Sequence, residues 1–225
     1  MKSSFCFAGT VAIFSLTHVM ALTIGFDDLP SPPALTGATG LQYANASGGG
    51  SLYHGITWDT SVEVVGSQYR VDPGTPGPLF GLPHSGDYFI TNGNGSQGVS
   101  LATTLVLTGA WFGRNEYYGY GGNADQITIN ALHNGTTLAS ITYDLPLTTP
   151  GQPEPLTFMD TSSFGSLSGI TGYTIDRHVT SEYKGNWVAD DFTFVSPAAV
   201  PETGATSLLA GIAALGFVAG RRCLR

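Results

Sequence analysis

Cysteine is nearly absent. The 225-residue chain has two, Cys6 and Cys223, one near each end. The long stretch between them therefore has neither a disulfide nor thiolate chemistry. Basic residues are scarce as well. Between residues 22 and 199 only Arg70, Arg114, Arg177 and Lys184 stand against 15 acidic residues, a net charge of −11. This excludes nucleic acid as a partner, because phosphate binding needs clustered Lys and Arg. An acidic, Lys-poor exterior suits solubility and divalent cations. The stretch also lacks any segment with a sustained 3.6-residue period and caps, which excludes a helical body. There is no Gly-x-Ser-x-Gly elbow and no Gly-rich phosphate loop followed by Lys. Histidines 54, 84, 133 and 178 are scattered, and Glu63, Glu116, Glu154 and Glu182 stand in no motif. No catalytic residue is assigned, and the chain is read as non-enzymatic.

What is present is Gly, Ser, Thr, Asn and Tyr, interleaved with short β-branched or aromatic runs. Strands are predicted at Thr23–Phe26, Ile56–Trp58, Val62–Val65, Asp87–Thr91 and Val99–Leu107, with Gly109–Gly113 preceding an aromatic loop. Further strands are predicted at Leu156–Phe158, Ile170–Ile175 and Trp187–Val195. The clearest local signal is a hairpin: Ile127–Leu132 alternates, Asn134-Gly135 turns, and Leu138–Tyr143 returns. Asn-Gly suits a type I′ turn, in which both central residues need positive φ. Four prolines, at 73, 76, 78 and 83, exclude a central strand there. Some nine to eleven short strands over roughly 180 residues point to an all-β domain, a two-sheet β-sandwich or jelly roll.

The ends differ from this body. Met1-Lys2 precedes an apolar run from Phe5 to Leu16, and Val19-Met20-Ala21 offers small residues for cleavage after Ala21. That is the pattern of a secretory signal peptide with its helix. At the other end Val200-Pro201-Glu202-Thr203-Gly204 leads into Ala205–Gly220, which has no charge and no proline, and then into Arg221, Arg222 and Arg225. The run is about 16 residues, slightly under the usual spanning length. It can still satisfy its own backbone in lipid as a helix, and the arginines predict a cytoplasmic C-terminus before processing. The expected organisation is a signal peptide over 1–21, a β-sandwich over 22–199 and a sorting signal with a transmembrane helix over 200–225.

Motif, hydrophobic helix and arginines in that order resemble the PEP-CTERM sorting domain of Gram-negative bacteria. Val200, Pro201 and Glu202 match, while Thr203-Gly204-Ala205-Thr206 is closer to the variant reading Val-Pro-Asp-Ser-Gly-x-Thr. The resemblance implies export through the secretion translocon, cleavage by signal peptidase, and recognition by an exosortase-like membrane protease. The same residues approach the sortase signal Leu-Pro-x-Thr-Gly, which leaves a sortase as the alternative. The expected destination is the cell envelope or the extracellular polymer.

A second resemblance lies in the body. Gly25-Phe26-Asp27-Asp28 opens it and Trp187-Val-Ala-Asp190-Asp191-Phe192-Thr-Phe194 closes it. This is similar to the jelly-roll domains of PEP-CTERM proteins and, at greater distance, to carbohydrate-binding modules. The resemblance implies a structural Ca2+ held by Asp27 or Asp28 with Asp190 or Asp191. Strict alternation would put Asp190 on the face of Phe192 and Phe194, with Asp191 on the other. An inward carboxylate must be paired or bind a cation. Trp111, Arg114, Asn115, Tyr117, Tyr118 and Tyr120 form a candidate glycan platform, since aromatic faces stack on sugars while Asn and Arg bond hydroxyls. The expected task is binding of exopolysaccharide or matrix glycans. A secreted glycan-active enzyme using carboxylates on the sandwich is the alternative.

Overall fold

The computed structural model describes residues 20–30, 32, 41–42, 51–68, 81–93, 97–115, 124–146, 155–178 and 185–197. They contain thirteen strands. These are β1 (Ala21–Ile24), β2 (Leu41–Gln42), β3 (Ser51–Tyr53), β4 (Ile56–Trp58), β5 (Val62–Gly66), β6 (Tyr88–Asn92) and β7 (Gly98–Ala102). Then come β8 (Val106–Arg114), β9 (Gln126–His133), β10 (Thr136–Asp144), β11 (Thr157–Asp160), β12 (Gly172–His178) and β13 (Trp187–Val195). A 3-10 turn, Ser162–Ser166, lies between β11 and β12. Of the predicted signal peptide only Met20 and Ala21 are described, and Ala21 opens β1 opposite Val195; residues 1–19, Tyr117, Tyr118 and Tyr120, and the C-terminal segment 200–225 lie outside the described residues.

The strands form two antiparallel sheets, which is the expected sandwich. One runs β11-β8-β13-β6-β5-β2, with β1 added on β13; the other runs β10-β9-β12-β7-β4-β3. Asn134-Gly135 turns the β9–β10 hairpin with φ of 48° and 80°. The apolar run Val99–Leu107 is not one strand. It breaks after Ala102, where the Leu105 amide donates to Thr103 Oγ1 at 3.2 Å, and its halves enter different sheets. A side-chain oxygen bonding the backbone two residues on turns the chain where hydrophobicity alone suggests continuity.

The inward rows of both sheets make one core. Phe26, Trp58 and Phe192 meet edge-on, at 5.3 Å for Phe26–Trp58 and for Trp58–Phe192. Each large side chain buried there stabilises by about 1.5–3 kcal/mol. Tyr173 bridges the sheets from within: its hydroxyl donates to the Leu105 carbonyl at 3.0 Å and accepts the Leu107 amide at 2.9 Å. Burial pushes its phenol up to about 12, so it stays neutral. The buried apolar residues run from Ile24 to Val188, Phe192 and Phe194, so the span 22–199 holds the whole described core.

The outer faces differ. On the seven-stranded sheet, Val65, Phe89, Leu156 and Val188 form a second, smaller cluster. Residue 81 covers part of it, where a Cβ on Gly81 would lie 3.2 Å from both Phe89 and Val188. The outer face of the six-stranded sheet carries Thr57, Ser100, Ala102 and Thr142, all exposed.

Candidate functional sites

The acidic residues gather where the seven-stranded sheet forks. Strand β13 pairs with β8 on one side; on the other it pairs first with β6, at Val188 and Ala189, and then with β1, from Phe192 to Val195. Asp190 and Asp191 occupy the change of partner. Asp190 opposes Trp111 while Thr193 opposes Gly109, so three steps on β13 match two on β8. Asp191 takes the extra step with φ of 46°, a left-handed conformation that Asp tolerates. The bulge corrects the expectation drawn from alternation. Trp187 and Ala189 face the main core, as do Phe192 and Phe194. Asp190 falls on the outward row with Val188, because the extra residue reverses the parity beyond it.

The segments leaving β1 and entering β6 meet at this fork. Asp190 is fully buried, and its carboxylate accepts three backbone amides: His84 at 2.9 Å and Ser85 at 3.0 Å on Oδ2, and Asp191 at 2.8 Å on Oδ1. Burial pushes its carboxyl up to about 6, with the Asp191 charge adding to the rise and the amides opposing it. Asp191 accepts Ser85 Oγ at 3.0 Å on Oδ1 and lies 2.6 Å from His84 Nδ1 through Oδ2. Asp27 accepts the Asp87 amide at 2.6 Å. A Cβ on Gly86, at φ of +56°, would overlap the Asp27 carboxylate, so only glycine fits. Asp28 turns away to the Tyr53 hydroxyl and to His54 Nε2 at 3.0 Å, which hold its carboxyl below the usual range.

The four acids thus play unequal parts. Asp190 is committed to amides and Asp28 to Tyr53 and His54. Asp27 and Asp191 flank Gly25: the space a Cβ would take there lies 3.0 Å from Asp191 Oδ1 and 3.6 Å from both Asp27 Oδ2 and Ser85 Oγ. Among the described residues no three His, Cys, Asp or Glu side chains are close enough to hold an ion as they stand. The donors around Gly25 are all hard oxygens, a set that fits calcium rather than zinc or copper.

The three described members of the proposed glycan platform separate. Trp111 lies on the outer face of the seven-stranded sheet, stacked on His84 at 3.6 Å and 5.5 Å from the half-exposed Phe158. Arg114 turns the other way and donates to the Leu145 carbonyl from Nε at 3.2 Å and Nη2 at 3.0 Å. Asn115 is fully buried and donates to Thr91 Oγ1 at 3.4 Å. Tyr117, Tyr118 and Tyr120 lie outside the described residues, as do Val200, Pro201, Glu202, Thr203 and Gly204.

A trough not foreseen from the sequence crosses the outer face of the six-stranded sheet. Thr57, Ala102, Gly172 and Leu132 lie side by side across β4, β7, β12 and β9 and form its floor. It has a volume of about 400 Å³ and is walled by Asp59, Thr60 and Ser100 on one side and by Gly135 and Thr171 on the other. Its floor is low because residue 172 is glycine, where a Cβ would come 2.5 Å from the Leu101 carbonyl oxygen. Asp59 fixes the wall. Its Oδ2 accepts Ser100 Oγ at 2.6 Å and its Oδ1 accepts the Ser61 amide at 2.8 Å. Burial pushes the Asp59 carboxyl up, but these bonds together hold it below its ordinary value. Beside the trough runs a lattice of hydroxyls and amides: Ser140 donates to Asn130 at 2.6 Å, and Asn130 donates to Thr174 at 2.9 Å and Asp176 at 2.7 Å. The signal for it was there in the small polar residues alternating along β7, β9, β10 and β12.

No family model matches the chain, and no curated protein matches it. Two solved structures are similar in outline. One is a DUF4465 family protein from Bacteroides caccae, 11% identical, with a TM-score of 0.49 over 79% of this chain and 99% of that one. The other is the N-terminal CBM22-1–CBM22-2 tandem of Paenibacillus barcinonensis Xyn10C, 14% identical, with a TM-score of 0.40 over 85% of this chain. The match takes in 49% of the tandem, about half its length.

Proposed function

We propose that this chain is an exported jelly-roll protein that binds extracellular polysaccharide through the outer face of its six-stranded sheet, without turning it over. The observation that carries the reading is the trough over Ala102 and Gly172. It is open, long enough to cross four strands, and lined by hydroxyls and a fixed carboxylate that match a sugar's alternating donors and acceptors. The ends of the chain support the destination: the first 21 residues act as the export signal, and 200–225 act as a PEP-CTERM-like signal handled by an exosortase-like protease. The fork beside Gly25 serves as a structural calcium site, with Asp27, Asp191 and Ser85 as ligands. An ion there would neutralise part of the acidic cluster and clamp β1 to the start of β6.

The test is retention of the purified 22–199 span in native gels cast with extracellular bacterial polysaccharides. Slowed migration, without release of reducing ends, is the expected result. Unretarded migration across a broad panel defeats the binding reading, and reducing-end release points to the glycan-active enzyme. Separately, the full chain should fractionate outside the cytoplasm and lose its C-terminal segment in its host. A full-length cytoplasmic product contradicts export.

A further inference from the structure

We infer that β10 is a self-association edge, which pairs antiparallel with β10 of a second copy. The other edge strands are short: β1 and β11 have four residues, β3 three and β2 two. Strand β10 has nine, pairs among the described residues only with β9, and contains no Lys, Arg or Pro. Soluble proteins ordinarily guard an edge of this length with such residues, because its free amides and carbonyls are a template for another strand. One bulge interrupts it, between Thr137 and Ala139, and leaves the regular stretch from Ala139 to Asp144.

The strand is complementary to itself. Its inward row, Ala139, Ile141 and Tyr143, packs on the core but is only partly buried, and Leu138 at the bulge is 40% exposed. In a pairing centred on Ile141, that residue meets its own copy, Ala139 meets Tyr143 and Ser140 meets Thr142. Inward residues then face inward residues, and outward face outward. Asp144, the strand's only charge, falls opposite Leu138. The two copies of Asp144 end six residues apart, about 20 Å. That exceeds the screening length of about 8 Å in physiological salt, so the edge contains no like-charge contact to oppose pairing. The half-covered apolar row gains a cover that no described strand provides. The joined six-stranded sheets would carry two troughs on one continuous face, which raises avidity for a repeating polymer. The pairing itself stands whether or not the trough binds glycan.

Sedimentation velocity on the 22–199 span should show a dimer that grows with concentration over roughly the 10–500 µM range expected of so small an interface. Ser140→Lys with Thr142→Lys places two gatekeeper charges at exposed positions. It should weaken the dimer at least about tenfold, with an unchanged circular-dichroism melt showing that the fold is intact. Because the span has no cysteine, Ile141→Cys should form an intermolecular disulfide under mild oxidation, while Leu52→Cys, 74% exposed on β3, should not. A span that stays monomeric throughout overturns the inference. So does a dimer indifferent to the lysines, or one that cross-links at Leu52 instead of Ile141.

Discussion

The fork and the trough lie on opposite sheets and treat their carboxylates in opposite ways. At the fork, Asp190 is fully buried, spends its oxygens on three amides, and has its carboxyl raised by burial to about 6. At the trough, Asp59 is partly exposed and is held low by Ser100 and Ser61. The seven-stranded sheet has a second apolar cluster on its outer face, so charge placed there must be paired internally. The six-stranded sheet leaves its outer face to solvent, so its polar groups remain available to a ligand. One acid holds the backbone together, and the other shapes a surface.

The comparison breaks most visibly at Asp190. Asp190→Ala leaves three partly buried amides without their acceptor and should lower stability by about 3 kcal/mol, read as the urea midpoint; Asp59→Ala should cost less than half of that. A smaller loss is expected for Gly86→Ala. It forces a side chain into a left-handed conformation and against the Asp27 carboxylate, at about 2 kcal/mol. An unchanged melt would show that the segment entering β6 is not held as described.

Calcium sharpens the contrast further. At about a hundred times its dissociation constant it should stabilise the span by about 2.7 kcal/mol, and a chelator should reverse this. Asp191→Asn should abolish the shift, and Asp28→Asn should leave it in place, because Asp28 faces Tyr53 and His54. No calcium response in a differential scanning experiment removes the ion from the fork. The smallest effect concerns Asp59. Its carboxyl is held below the unfolded value of 3.8, so its contribution is present above about pH 4 and is lost as pH falls through the lower folded value. Stability measured from pH 5 down to 2 should fall less steeply in Asp59→Asn than in the parent.

Much of this organisation was legible in the residues, and the failures have physical causes. Period-two alternation and the Asn134-Gly135 turn disclosed the sandwich and its clearest hairpin. Asp27 and Asp191, which lie on either side of Gly25, are among the four acids that the resemblance to carbohydrate-binding modules singled out. The face of Asp190 was not, since a bulge is set by the change of pairing partner from β6 to β1, which is a fact of topology. The break at Thr103 escaped because hydrophobicity does not register a side-chain oxygen turning the backbone. Asn115 looked like loop chemistry beside Trp111, yet its burial depends on Thr91 in a strand far away in sequence. The trough is formed by four residues with no motif between them, brought into line only by register.

The most direct test of the account is binding by the 22–199 span with its trough filled. Ala102 is exposed on the trough floor, so Ala102→Trp blocks the channel without entering the core. In isothermal titration against a polysaccharide that retards the parent span, this variant should lose at least about tenfold in affinity and keep the parent's melting temperature. Undiminished affinity in a folded Ala102→Trp protein would contradict the account.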